Sequence, residues 1–287
     1  MFQTFKTYFS LIKFSHTVFA LPFALIGFSL AIHTGEAQFN FKKFILVVLC
    51  MVFARSAAMA FNRYVDRKFD QKNPRTAFRE IPAGIISPPS ALLLVICCCL
   101  MFIICTYFIN ALCFYFFFVA LFVVLGYSYT KRFTPLCHLI LGLGLSLAPI
   151  GAYIALTERF ATLPILFSVL VFLWVSGFDI IYALQDEDFD RSQNLKSIPV
   201  FFGKKNALRL SEVFHTIAGI IVVYIYFFAN FSWLYFTGGL AFITLLIYQH
   251  TLVKPNDLSK INVAFGTTNG IASVVFCVFV CSDIFLF

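Results

Sequence analysis

Nine apolar runs, each near the length of a bilayer-crossing helix, follow one another along this chain. They lie at roughly 10–33, 41–62, 89–109, 111–130, 135–156, 162–183, 208–228, 232–252 and 263–286. About 20 residues at a 1.5 Å rise cross a hydrocarbon core. The runs are continuous rather than alternating, which argues against a membrane barrel. Hydrophobic residues make up 61% of the chain and charged residues only 12%, which excludes a soluble globule and a disordered chain. The predicted fold is an all-α integral membrane protein of about nine transmembrane helices, a single polytopic domain over 1–287.

The loops are unequal. Those after the second and sixth runs, about 63–88 and 184–207, are long and charged; those after the fourth and eighth are short and basic. These four loops and the N-terminus share one side, and that side holds 17 of the 21 Lys and Arg. The positive-inside rule places it in the cytoplasm. Basic residues spread over short loops set topology, so the net charge of +8 does not point to nucleic acid. Lys6 and Lys13 precede the first run, which is expected to be a mature helix. No transit-like extension precedes it, and a prokaryotic inner membrane is the expected location. The nine Cys show no metal-ligand spacing and read as small apolar helix residues.

Chemistry-bearing residues are concentrated in two places. Of eight Asp, six fall in the segments 62–70 and 179–190, each continuing a transmembrane helix at its cytoplasmic end. Asn62, Asp66 and Asp70 are four apart and share one helix face. Tyr182, Asp186 and Asp190 repeat that spacing 120 residues later, with Asp179 one turn earlier. The repetition predicts two related halves, about 10–131 and 135–252, plus a last helix at 263–286.

Carboxylates stacked four apart repel one another, and the cost grows toward the bilayer. Oxygen-only ligands of this kind suit Mg²⁺, which takes one or two carboxylates and leaves room for waters and substrate phosphates. Two facing stripes fit a Mg²⁺-bridged diphosphate. Four Asp and a diphosphate ester of about −3 charge outweigh two Mg²⁺, so further cations are required. The same loops supply Arg75, Arg79, Lys131, Arg132 and Lys196.

Arg55 sits within the second run, two turns before Asn62. A lone intramembrane Arg is a functional candidate. It either binds a substrate carboxylate bidentately or pairs with an Asp of the second stripe. His16, in the first run, is a candidate contact to the same substrate, or a satisfied core histidine.

The segment NRYVDRKFDQKNPRTAFREIPAG, from Asn62 to Gly84, resembles the first aspartate-rich signature of the UbiA superfamily of intramembrane prenyltransferases. The segment DIIYALQDEDFDRSQNLKSIPVFFG, from Asp179 to Gly203, resembles the second, as found in the 4-hydroxybenzoate polyprenyltransferase branch. SHTVFALPFALIG and YSYTKRFTPL are weaker matches, and the resemblance covers about residues 15–205. One departure is Arg63, where many members carry Asp directly after the motif Asn.

The resemblance implies a nine-helix fold around a central cavity that opens to lipid under a cytoplasmic cap. It implies Asn62, Asp66, Asp186 and Asp190 as the main Mg²⁺-site residues, assisted by Asp70 and Asp179. Lys131, Arg79 and Lys196 would hold the diphosphate, Arg55 the acceptor's carboxylate, and Tyr182 would orient the reacting centre. The implied reaction is Mg²⁺-dependent transfer of a polyprenyl group from polyprenyl diphosphate to the ring of a hydroxyaryl acid, in quinone biosynthesis. A hydroxybenzoate and a hydroxynaphthoate are both open as acceptors, as is a sister transferase with another acceptor. A transporter of an anionic substrate is the alternative of a different class.

Overall fold

The computed structural model describes residues 2–12 and 19–287, with side chains from residue 7 onward. In chain order the α-helices are α1 (Phe2–Leu11), α2 (Leu21–His33), α3 (Phe41–Lys72), α4 (Pro88–Ile109), α5 (Ala111–Thr130) and α6 (Cys137–Thr157). They continue with α7 (Thr162–Ala183), α8 (Glu187–Ser192), α9 (Ile198–Ala229), α10 (Trp233–Leu252) and α11 (Asn269–Leu286). A 3₁₀ turn, Leu184–Asp186, joins α7 to α8, and a π-helical turn, Val263–Thr268, leads into α11. The described residues form no β-sheet; one isolated bridge links Lys254 and Asp257.

The protein is an integral membrane protein. Among the described residues seven helical stretches are long and apolar enough to cross a bilayer, and α2 is a shorter apolar helix of 13 residues. Lipid demands that backbone groups be satisfied within each segment, and the sequence meets this with side-chain caps at polar breaks. Asn40 accepts from the Lys43 amide, Ser87 from Ser90, and Ser197 from Val200, opening α3, α4 and α9. Asn110 closes α4 and caps α5 through the Cys113 amide. Its Nδ2 also donates to the Ile154 and Ala155 carbonyls at 3.0 Å, fastening that corner to α6.

Three expected boundaries change. Of the run at 10–33, the described residues hold the last two residues of α1 and the 13-residue α2 rather than one long helix. α3 continues 10 residues past its apolar run to Lys72, so the first acidic stripe is helical throughout. The loop expected over 184–207 is mostly helical, and α9 begins at Ile198 instead of 208. Gly203 makes that early start possible. Its φ of 76° turns the chain between a short first segment and the long run of α9.

The main core lies between α2, α7, α10 and α11, where Phe23, Phe167, Trp174, Tyr235, Phe242 and Phe276 are fully buried. A buried polar chain fastens the same helices. Trp174 Nε1 donates to Asn269 Oδ1 at 2.8 Å, and Asn269 Nδ2 to Gln249 Oε1 at 3.1 Å. Gln249 meets His215 Nδ1 on α9 at 3.1 Å. α5 is the opposite case. Only Ser128 and Thr130 are buried along it, and Phe118 and Phe122 point outward, as on a lipid-facing wall.

α2 crosses α6 where Gly27 meets Pro149. A Cβ at Gly27 would fall inside contact distance of the Pro149 carbonyl, whose backbone cannot swing away. Gly27→Ala is expected to destabilise the protein by about 2 kcal/mol, read as a lower unfolding temperature in detergent. An unchanged transition would mean that the two helices separate freely at this crossing.

Candidate functional site

Beneath the loop 73–87 lies a polar chamber of about 690 Å³. α3 supplies Arg55, Asn62, Arg63, Asp66 and Asp70 to its wall. These fall on one arc because intervals of three, four, seven and eight residues nearly complete whole turns. The loop adds Asn73, Arg75, Arg79 and Glu80. The α5–α6 corner adds Tyr127, Lys131, Arg132 and His138, and the end of α7 with α8 adds Asp179, Tyr182, Asp186 and Asp190. The two acidic segments thus face one chamber, and Lys72 Nζ to Gln193 Oε1 at 3.2 Å ties their outer ends.

Four of these carboxylates each hold a basic side chain from a different element. Arg75 grips Asp186 with Nε to Oδ1 at 2.9 Å and Nη2 to Oδ2 at 2.5 Å, while Nη1 reaches the Tyr182 hydroxyl at 3.1 Å. Asn73 Nδ2 donates to the same Asp186 at 3.2 Å. Arg79 Nη1 meets Asp70 Oδ1 at 2.6 Å, and Lys131 Nζ meets Asp190 Oδ1 at 2.8 Å. Arg132 Nη2 lies 3.4 Å from Asp66 Oδ1 and donates to the Val65 carbonyl at 2.9 Å. Burial works against the charges of Arg75 and Lys131. The Asp186 carboxylate beside Arg75 and the Asp190 carboxylate beside Lys131 outweigh it, so both bases stay above their ordinary values.

Asn62 Nδ2 donates to Asp66 Oδ2 at 3.1 Å, one turn along, as the four-residue spacing implies. Tyr182 stacks on Phe265 with ring centroids 4.1 Å apart, which fixes its ring against the segment before α11. Arg55 makes no ion pair or hydrogen bond among the described residues, and its Nε is buried without a partner. It is therefore not held by an Asp of the second stripe.

Lys196 is not brought to the chamber. Its Nζ donates to the Phe133 carbonyl at 3.2 Å, and its amide to the Lys131 carbonyl at 2.6 Å, so it braces the loop that carries Lys131. His16 lies outside the described residues.

Three chamber residues escape a reading of the sequence. His138 Nδ1 lies 2.6 Å from Asp179 Oδ2, and the Ile198 amide donates to its Nε2 at 3.4 Å. An accepting Nε2 places the proton on Nδ1, so the imidazole donates to the carboxylate. Tyr127 sits beside Arg55 on the facing helix. Asn73 secures both Asp186 and the Arg75 amide, the latter at 3.0 Å through Oδ1. No spacing rule links His138 or Tyr127 to the acidic stripes; Asn73 stands inside the first signature without a charge to mark it.

A second cavity, of about 340 Å³, opens from the chamber. Its lining is almost wholly apolar and comes mainly from α3, α4, α5 and α6, including Ala54, Phe117, Gly144 and Ala148. Arg55, Tyr127 and Leu141 line both cavities and mark their junction. Along α5 the apolar cavity runs from Tyr127 to Leu112, about 22 Å at the helical rise.

The donor set fits a hard divalent cation. All candidate ligands are oxygens, and Asp70 Oδ2 is buried with no hydrogen-bond partner. Among the described residues no three acidic, His or Cys groups converge on one point; the carboxylates hold bases instead.

Comparison with known proteins accords with this arrangement. The family description "UbiA prenyltransferase family" matches residues 20–277. A 4-hydroxybenzoate octaprenyltransferase of Aliivibrio fischeri is 30% identical over 232 residues, which cover 81% of this chain and 81% of that protein. The apo structure of a UbiA homolog from Aeropyrum pernix superposes with a TM-score of 0.80 at 27% identity, covering 94% of this chain and 97% of that one. A UbiA homolog from Archaeoglobus fulgidus, bound to GPP and Mg²⁺, gives a TM-score of 0.76 at 20% identity, covering 97% and 99%.

If His138 and Asp179 act as a pair, His138→Leu and Asp179→Leu will each lower the unfolding temperature. The double variant will lose less than the sum, by about 1–3 kcal/mol. Additive losses in that cycle would show that the two groups are independent.

Proposed function

The chain belongs to the UbiA prenyltransferase family, and on that premise we propose that it transfers a polyprenyl group from polyprenyl diphosphate to the ring of a 4-hydroxybenzoate-like acid. The observation that carries this reading is the position of Arg55. Among the described residues it is a guanidinium without an ion pair or hydrogen bond, placed where an apolar channel meets a charged chamber. A lipid tail fits the channel and a diphosphate the chamber. An aromatic carboxylate between them meets a guanidinium that can grip it bidentately.

Asn62, Asp66, Asp70, Asp186 and Asp190, with Asp179 assisting, would hold Mg²⁺. When bound, the metal supplies charge that offsets the diphosphate and its developing negative charge as the allylic C–O bond breaks. The lining carries six carboxylates and six Lys or Arg side chains, so its formal charges balance before any ligand enters. A diphosphate of about −3 charge upsets that balance, and one or two divalent cations restore it. Arg75, Arg79, Lys131 and Arg132 then exchange a carboxylate for phosphate oxygens. The exchange keeps each base paired throughout.

The electron pair of the C–O bond leaves with the diphosphate. The ring carbon ortho to the acceptor's hydroxyl attacks the prenyl carbon, and transfer of its proton to the departed diphosphate or to a chamber Asp restores aromaticity. Tyr182, fixed by Phe265 and Arg75, presents a ring face and a hydroxyl to this region. The apolar channel keeps water from the cation-like prenyl group. The chamber is read as facing the cytoplasm of a prokaryotic inner membrane, from the side that carries most Lys and Arg.

Membranes containing the protein, given a polyprenyl diphosphate and labelled 4-hydroxybenzoate or a dihydroxynaphthoate, should yield a lipophilic product with Mg²⁺ and none with EDTA. Asp66→Asn should cut turnover by at least about a hundredfold. Arg55→Gln should raise KM for the acid acceptor on the order of tenfold and leave KM for the diphosphate unchanged. Product from the naphthoate alone would move the acceptor class; product in EDTA would sink the metal-dependent mechanism.

The channel also makes a size prediction. Ala148 is buried on its wall, so Ala148→Phe should abolish use of long polyprenyl diphosphates while a ten-carbon donor still reacts. Equal loss for both donors would mean that the tail lies elsewhere.

A further inference from the structure

Among the described residues two guanidiniums in the chamber wall have no ion pair or hydrogen bond, and only one of them has a part in the mechanism above. The other is Arg63. It follows Asn62 on α3, is only 4% exposed, and lines the polar chamber but not the apolar channel. Among the described residues its Nε and Nη1 are buried without a hydrogen-bond partner, and no carboxylate pairs with it. Asp70, the nearest candidate, sits two turns along the same face and is already taken by Arg79 at 2.6 Å. Glu80 accepts from Ser10 instead, at 2.5 Å.

A buried, unpaired guanidinium is costly to the ligand-free protein. The surrounding charges do not relieve it. Arg79 repels it, while Asp70 and Glu80 attract it from a distance without bonding. Such an arrangement is a cation held ready for an anion that arrives from outside. Arg55 and Arg63 are eight residues apart, about 12 Å along the helix axis, so they serve different anionic groups. Arg55 borders the channel, whereas Arg63 stands beside the Asn62–Asp66–Asp70 stripe.

We propose that Arg63 is a diphosphate-binding residue of this chain, a fixed guanidinium that takes phosphate oxygens directly. This deepens the prenyl-transfer reading and rests on it. The other four chamber bases must first leave a carboxylate, but Arg63 has nothing to leave. It provides the first fixed attraction for the incoming diphosphate and stays on it as the leaving group's charge grows. Its place in the stripe also changes the site's charge. An Asp directly after Asn62 would add a ligand and a negative charge; Arg63 adds a positive one, so less metal charge is needed to hold the same diphosphate.

The test uses the full-length protein in detergent with inorganic pyrophosphate and Mg²⁺. Wild-type protein should show a rise in unfolding temperature with both present. Arg63→Gln should lose most of that rise, while its ligand-free unfolding temperature stays equal or increases, since an unpaired charge has been removed. KM for polyprenyl diphosphate should rise on the order of tenfold with KM for the acid acceptor unchanged, and Arg63→Lys should recover part of both effects. A lowered ligand-free transition with an intact pyrophosphate response would make Arg63 a structural residue and overturn the proposal. A raised KM for the acceptor alone would overturn it too, by moving Arg63 to the acceptor's carboxylate. If wild-type protein itself gave neither a pyrophosphate response nor product, the prenyl-transfer reading would fail first.

Discussion

Charge at a membrane boundary must be paired, and here the pairs are also what closes the chamber. Asp186 with Arg75, Asp70 with Arg79, Asp190 with Lys131 and Asp66 with Arg132 are the central contacts. They join α3, the 73–87 loop, the α5–α6 corner and the α7–α8 end around one volume. No single surface pair of this kind stabilises much. These are half-buried, and removing one partner leaves a desolvated charge behind. The chamber is therefore held by the same groups that, on the proposed reading, substrate and metal would engage. Binding and the order of the cap are coupled through shared partners.

The two unpaired guanidiniums break that pattern in an informative way. Among the described residues the other chamber bases hold carboxylates, whereas Arg55 and Arg63 do not, so an incoming anion would offset their desolvation. Their positions separate the two anionic groups of a prenyl-transfer reaction. One lies at the junction of the apolar channel and the chamber, the other beside the Asn62–Asp66–Asp70 stripe. The junction itself is small, shared by Arg55, Tyr127 and Leu141. On the proposed reading, bond exchange falls at this boundary between a polar and an apolar compartment.

The rest of the bundle supports that boundary unequally. α7, α9, α10 and α11 are bound by a dense aromatic core and a buried hydrogen-bond chain. α5, one wall of the channel, buries little of its length and faces lipid. A rigid half next to a thin wall suits a site that holds the reacting head firmly and takes in a long apolar tail from the side.

Membrane class, the helix positions and the two acidic stripes were legible in the sequence because each rests on a local rule. Apolar run length sets where helices form, and four-residue spacing puts Asn62, Asp66 and Asp70 on one face whatever surrounds them. The paired signatures carried the family for the same reason. What local rules could not supply was partnership. Which base meets which Asp, that Lys196 turns to a backbone carbonyl, and that His138 holds Asp179 all depend on helices distant in sequence. Arg63 shows the division most plainly. In the sequence it is a departure from a motif; only packing, which gives Asp70 to Arg79 and buries Arg63 in the chamber wall, makes it a cation waiting for an anion.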